Sequence, residues 1–139
     1  VMEICQVPQA VIYPKEFGTK KDIADFQDSV FYLSADAPVE YSRANLEQIC
    51  VQKEFIPKTK VVPNHATLLS LMDREDSAAI MDLWCQPIYD KKFKYVRLEA
   101  SVPIVGAFRK NCAHAKIIRM LYETLAERYG EEVMIIIRK

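Results

Sequence analysis

The sequence predicts an α+β domain that runs helix, three antiparallel strands, helix across residues 64–130, and three observations carry this. Residues 94–100 alternate Tyr95, Arg97 and Glu99 with Val96, Leu98 and Ala100, the period of two expected of a half-buried antiparallel strand. Asn111 offers an N-cap side chain, and Ala113, Ile117, Leu121, Thr124 and Leu125 follow at helical spacing. Gly130 stands after them as a residue free to take positive φ beyond a helix end. Asn64 likewise precedes Ala66, Leu68, Leu69, Leu71 and Met72, a first helix that the charged residues 73–76 close.

Residues 1–19 alternate only partly and are interrupted by Pro8 and Pro14, so they read as an edge strand or an extended arm. Residues 20–33 place Ile23, Phe26, Val30, Phe31 and Tyr32 among charges, the pattern of a short helix running into a strand, and 34–38 form a turn. Leu46, Ile49 and Cys50 space one more helix over 41–55, with Ser42 as candidate cap, and Pro57 and Pro63 mark a connector. Residues 1–60 are therefore expected as an N-terminal arm or extension packing on the domain at 64–130. Residues 78–85 form a strand with Met81, Leu83 and Cys85 inward, or with Ile80 and Trp84 inward. After the strand at 94–100, Ser101 and Pro103 break the run. Ile104, Val105, Ala107 and Phe108 then make a second apolar strand interrupted by Gly106. Residues 131–139 carry an apolar run at 133–137 that reads as an extra C-terminal strand. A competing assignment takes 41–55 as the first helix and 64–80 as an insertion.

The chain has 139 residues, half of them apolar and only three of them Gly, enough to bury a sizeable core. Formal net charge is zero; six Lys/Arg face nine Asp/Glu before Thr59, and thirteen face ten from there on. That balance is far from the strongly basic one that holds duplex RNA through phosphates. No apolar run reaches membrane-spanning length and no secretory leader opens the chain, which points to a cytoplasmic or also nuclear setting without a membrane partner. Cys5, Cys50, Cys85 and Cys112 are scattered, without paired spacing, and read as free thiols. Cys112 and His114 could share a metal, but zinc needs four converging ligands and the chain holds two His, so neither metal nor cofactor is expected. A Gly-rich phosphate loop, a Ser/His/Asp motif and an acidic metal cluster are all missing, which excludes the usual enzyme classes.

The run Lys110-Asn111-Cys112-Ala113-His114, followed by Ile117, Ile118, Leu121 and Leu125, stands where double-stranded RNA-binding domains open their second helix on Lys-Lys-x-Ala-Lys. With the element order, residues 64–130 resemble such a domain. Two of its three lysines are absent, so the chain is most similar to the degenerate third domain of Dicer-partner proteins, the TRBP, PACT and Loquacious group.

The resemblance implies a dsRBD-like α-β-β-β-α fold and a non-catalytic protein–protein interaction function in an RNA-interference factor: homodimerisation, binding of a Dicer-like protein, or both. Duplex RNA would be bound weakly, or through other domains of the parent protein. By position, it assigns the dimer or partner edge to Ile104, Val105, Gly106, Ala107 and Phe108; the other reading buries these residues in the core or covers them with residues 1–19. Trp84 and Tyr89 are candidate partner anchors by residue type, and equally candidate core residues. The alternative function is a genuine duplex-RNA module using Arg109, Lys110, His114, Lys116 and the loop pair Lys91 and Lys92; otherwise these cations form a solvated face. A KH module is excluded, since Gly106 is followed three positions on by Arg109 and the GxxG loop is missing.

Overall fold

A strand that pairs in parallel with both neighbours needs a crossover on each side, and the first half of this chain is built to supply them. The computed structural model describes residues 2–85, 91–109 and 111–138, the side chains of Cys85 and 130–138 excepted. Its elements are β1 (Met2–Pro14), β2 (Val30–Ser34), α1 (Val39–Val51), β3 (Lys58–Val62), α2 (His65–Met72), β4 (Ser77–Asp82), β5 (Phe93–Gly106) and α3 (Ala115–Arg138). One-turn 3-10 segments occupy Lys15–Phe17, Ile23–Phe26 and Leu83–Cys85. The strands form one mixed sheet in the order β3-β2-β4-β1-β5. Two compact units divide the chain, Gln9–Ala100 and Val1–Pro8 with Ser101–Lys139, and both β1 and β5 run from one unit into the other.

In the unit Gln9–Ala100, β2 pairs in parallel with β3 from Val30↔Lys58 to Ser34↔Val62, and in parallel with β4 at Val30↔Ser77 and Phe31↔Ala78. β1 runs antiparallel to β4 from Gln9↔Asp82 to Ile12↔Ala79. The pleat sends alternate side chains to two separate cores. Val11, Tyr13, Phe31, Leu33, Ala78, Val96 and Leu98 meet Phe26 and, on α1, Leu46 and Cys50. Ile12, Tyr32, Val62, Ala79 and Phe93 meet Leu68 and Met72 of α2. The helices therefore lie on opposite faces, and the sheet is buried between them.

Lys20 fastens the loop that leads into β2. Its Nζ donates to Ser29 Oγ at 2.8 Å and Asp76 Oδ1 at 3.0 Å, and lies 4.8 Å from the Phe26 ring centroid. Ser29 Oγ donates to the same carboxylate oxygen at 2.9 Å. The Lys20 side chain is only 11% exposed, so its charge is matched before burial rather than left unpaired.

In the unit of Val1–Pro8 and Ser101–Lys139, Ser101 Oγ donates to Gln6 Oε1 at 3.0 Å. Phe108 lies 5.9 Å from the Tyr122 ring of α3. Gly106 is buried against that same ring, and a Cβ there would collide with it.

The α-β-β-β-α arrangement is thus corrected to a mixed five-stranded sheet with helices on both faces of its Gln9–Ala100 part. Residues 1–60 are not an extension, because they supply β1, β2, α1 and most of β3. β1 is an interior strand and not an arm; its ladder with β4 covers Gln9–Ile12, so Pro8 and Pro14 fall outside it. The second hairpin strand is absent as a separate element, since β5 continues through Ser101 and Pro103 to Gly106. An edge strand tolerates Pro, having a side on which no ladder bond is required. No strand follows at 133–137, because α3 runs on through Gly130 to Arg138. One Gly costs about 1 kcal/mol in a helix interior, less than a helix of this length gathers from its other residues. Asn111 does not cap it either; the helix begins at Ala115.

Lys20→Met should lower the unfolding free energy by about 1–3 kcal/mol, because Asp76 and Ser29 lose their shared donor; urea denaturation reads this. Gly106→Ala should cost about 1–3 kcal/mol through overpacking on Tyr122, and Gly106→Ala with Tyr122→Leu should recover most of it in the same assay.

Candidate functional site

In the Gln9–Ala100 unit the chain leaves β2 for α1 on one face and leaves β3 for α2 on the other. The C-terminal tips of these two parallel strands therefore flank a switch point, the place where open α/β sheets leave a crevice. A cavity of about 410 Å³ lies there. Its apolar lining comes from Phe31, Leu33, Leu46 and Ile80 of one core and Leu68 and Met81 of the other, and its polar lining includes Gln9, Ser34, Asp36, Ser42, Asn45 and His65.

Each polar group is placed by a particular local interaction. Ala35 N donates to Val62 O at 2.9 Å, which ties the turn after β2 to the end of β3. Asp36 N donates to Ser34 Oγ at 3.2 Å. The Asp36 carboxylate accepts from His65 N at 2.9 Å and so sits on the first amide of α2, where the helix dipole favours an anion. Asn64 caps the same helix, its Oδ1 accepting from Thr67 N at 2.9 Å, as the sequence predicted. α1 is different: Pro38 occupies its N-cap and gives no side-chain acceptor, leaving its leading amides without a capping side chain. Ser42 and Asn45 lie one turn into α1 on the crevice side, and Asn45 Nδ2 donates to the buried Gln9 Oε1 at 3.4 Å. Leu46 and Leu68, both buried, hold the two helices against opposite faces of the sheet.

Asp82 ends β4 opposite Gln9, and burial raises its carboxyl above the ordinary 3.8. The thiols follow the same rule: burial pushes Cys50 up to about 11, and burial with the nearby Glu3 raises Cys5. Both are protonated, weak nucleophiles near neutral pH. Among the described residues no set of three or more His, Cys, Asp or Glu could hold a metal ion, and no helix is long and apolar enough to cross a membrane.

The residues singled out by sequence do not gather here. Ile104, Val105 and Gly106 close β5, the last strand in the sheet order, with Val105 exposed; Ala107 is exposed and Phe108 is half-buried against Tyr122. Trp84 is half-buried in the turn Leu83–Cys85. Tyr89 and Lys110 lie outside the described residues. Lys91 and Lys92 are exposed in the Gln9–Ala100 unit, where Lys92 Nζ reaches Asp73 Oδ2 at 3.4 Å. Arg109, His114 and Lys116 are exposed in the other unit, so the expected cations are split between the two. The predicted inner stripe of the last helix is met at Leu125, which is half-buried, but not at Ile117 and Leu121, which are 66% and 54% exposed; their neighbours Ile118 and Tyr122 are half-buried instead. The crevice residues were missed because the parallel pairing of β2 was missed; Asn64 at a helix start and the Ser34-to-Pro38 turn were the available signals.

No protein-family model matches the sequence, and no curated protein matches it. Solved structures do match by shape. The benzoate-bound effector-binding domain of BenM aligns with a TM-score of 0.71 at 20% identity, over 94% of this chain and 63% of that one. CbnR, a LysR-family transcriptional regulator, aligns with 0.67 at 17% identity over 92% of this chain and 46% of that one. The effector-binding domain of QuiR in complex with shikimate aligns with 0.63 at 16% identity, over 94% and 65%. The chain thus spans about half to two-thirds of the length of these proteins. The fold is that of LysR-type effector-binding domains and not that of the double-stranded RNA-binding domains of Dicer partners. That finding corrects the RNA-interference reading, its Dicer-like partner and the duplex-RNA alternative together.

The raised Asp82 carboxyl sets a pH dependence. An acid whose folded pKa lies above its unfolded one adds stability that is complete below the unfolded value and is lost as pH rises through the folded one. Asp82→Asn should therefore be stabilising at pH 7, with the gain vanishing below the ordinary 3.8; thermal unfolding of both proteins across pH 3–8 tests the convergence.

Proposed function

We propose that this chain is an effector-binding region of a LysR-type transcriptional regulator and that its crevice holds a small organic effector. One observation carries the reading: a cavity of about 410 Å³ at the switch point, between two helix N-termini, in a fold shared with domains solved around benzoate and shikimate. That volume falls in the range of small-molecule sites, roughly 300–1,000 Å³, and the mix of an apolar side with a few convergent polar groups is what such sites use. The apolar body of a ring would lie on Leu33, Leu46 and Ile80, with its polar substituents met by Ser42, Asn45 and Gln9. The activity assigned is binding without catalysis. Transcriptional output would follow if the effector binds two conformations of the regulator with different affinity.

Thermal unfolding of the full chain against a library of cyclic metabolites tests this. A bound effector at about 100 times its Kd contributes about 2.7 kcal/mol, a rise in Tm of several degrees. Asn45→Ala should weaken that binding about tenfold, and Lys58→Ala, on the exposed edge strand, should leave it unchanged. A library that shifts nothing at millimolar concentration would sink the proposal.

A further inference from the structure

We infer that the crevice selects a neutral, hydroxyl-bearing ring over the corresponding carboxylate, an inference that rests on the effector reading above. Among the described residues the lining contains no Lys and no Arg; its neutral hydrogen-bonding side chains are the amides of Gln9 and Asn45 and the hydroxyls of Tyr32, Ser34, Tyr41 and Ser42, with His65 beside them. Amides and hydroxyls both donate and accept, so a ligand hydroxyl uses both capacities where a bare anion uses only the donors. The fixed charge at the rim is negative. Asp36 already occupies the amide end of α2 through His65 N at 2.9 Å, so the anion site that this helix start would offer is filled by the chain itself. An incoming carboxylate would meet a like charge with no Lys or Arg among the described lining residues to offset it, whereas a hydroxyl or ester would not meet that repulsion. The uncapped start of α1 attracts an anion through its helix dipole, and the Asp36 charge two residues before Pro38 opposes that pull.

Matched pairs test the inference on the full chain: shikimate against methyl shikimate, and 3,4-dihydroxybenzoate against its methyl ester, by titration calorimetry at low and high salt. The ester should bind more tightly than its acid by about fivefold at low salt, the size of one screened like-charge contact. Added salt should narrow the gap by strengthening the acid alone. Asp36→Asn, which keeps an acceptor for His65 N, should raise the affinity of the acid and leave that of the ester unchanged. An acid that binds more tightly than its ester, or a gap indifferent to both salt and Asp36→Asn, would overturn the inference and leave the effector reading standing. If neither member of either pair binds while other library compounds do, the inference also fails; if nothing binds at all, both fail.

Discussion

Everything in the Gln9–Ala100 unit follows from β2 being paired in parallel on both sides. A parallel neighbour cannot be reached by a hairpin, so the chain must cross over the sheet and return. It does so twice, through α1 to β3 and through α2 to β4. Because β3 and β4 stand on opposite sides of β2, the two crossovers go in opposite directions along the sheet. With the usual right-handed connection that places their helices on opposite faces. The two cores are the direct result: Phe31 and Leu33 belong to the α1 side and Tyr32 between them to the α2 side. The crevice is the other result, since the helix starts diverge from adjacent strand tips. No single residue creates the cavity; the order of strands does.

Local signals in the sequence were largely sound where one element decides its own form. The alternation over 94–100 is present, with Val96 and Leu98 buried and Arg97 and Glu99 exposed. Asn64 caps α2, and Leu46 and Cys50 face inward on α1. What was not legible is which strands are neighbours. β3 is a short Lys-Thr-Lys-Val-Val run whose lysines look like connector sequence, yet lysines are what an exposed edge strand carries. β4 gave two equally good inward faces because both are inward: Ala78 and Ile80 lie toward α1, Ala79 and Met81 toward α2. A strand buried on both sides has no period of two to read. α3 presents two adjacent apolar stripes, and the choice between them is made by Tyr122, which Gly106 admits. None of these choices is encoded within one element, and the site inherits the same difficulty because its residues come from β1, β2, β4, α1 and α2.

The two helix starts at the crevice are treated differently, and the difference follows from local chemistry. α2 is satisfied internally by Asn64 and Asp36, one from its own N-cap and one from the turn after β2. Its dipole is thereby matched before any ligand arrives. α1 begins on Pro38, which fixes φ but brings no side-chain acceptor. The polar groups that follow it, Ser42 and Asn45, are directed into the crevice lining instead of back onto their own helix start. One helix thus closes its end of the site and the other leaves its end open, which gives the crevice a direction.

The strongest polar anchoring lies at the opposite end of the same strands. Lys20, Ser29 and Asp76 meet where β2 and β4 begin, and Val30 N donates to Asp76 O at 3.1 Å there. Ser34, Asp36 and the helix starts stand where β2 and β3 end. Buried charge is tolerable at the first end because its partners are built in, and Lys20 satisfies two of them at once. At the second end Asp36 is exposed and the Ser42 and Asn45 side chains are neutral and half-buried, so altering them costs less folding energy. The strand starts fix the register of β2 against β4, and that register alone sets where Phe31, Leu33 and Ile80 stand along the crevice. Buried ion pairing is concentrated where the strands enter and the crevice where they leave. Substitutions at Ser42, Asn45 or Asp36 therefore leave undisturbed the contacts that hold the sheet in register.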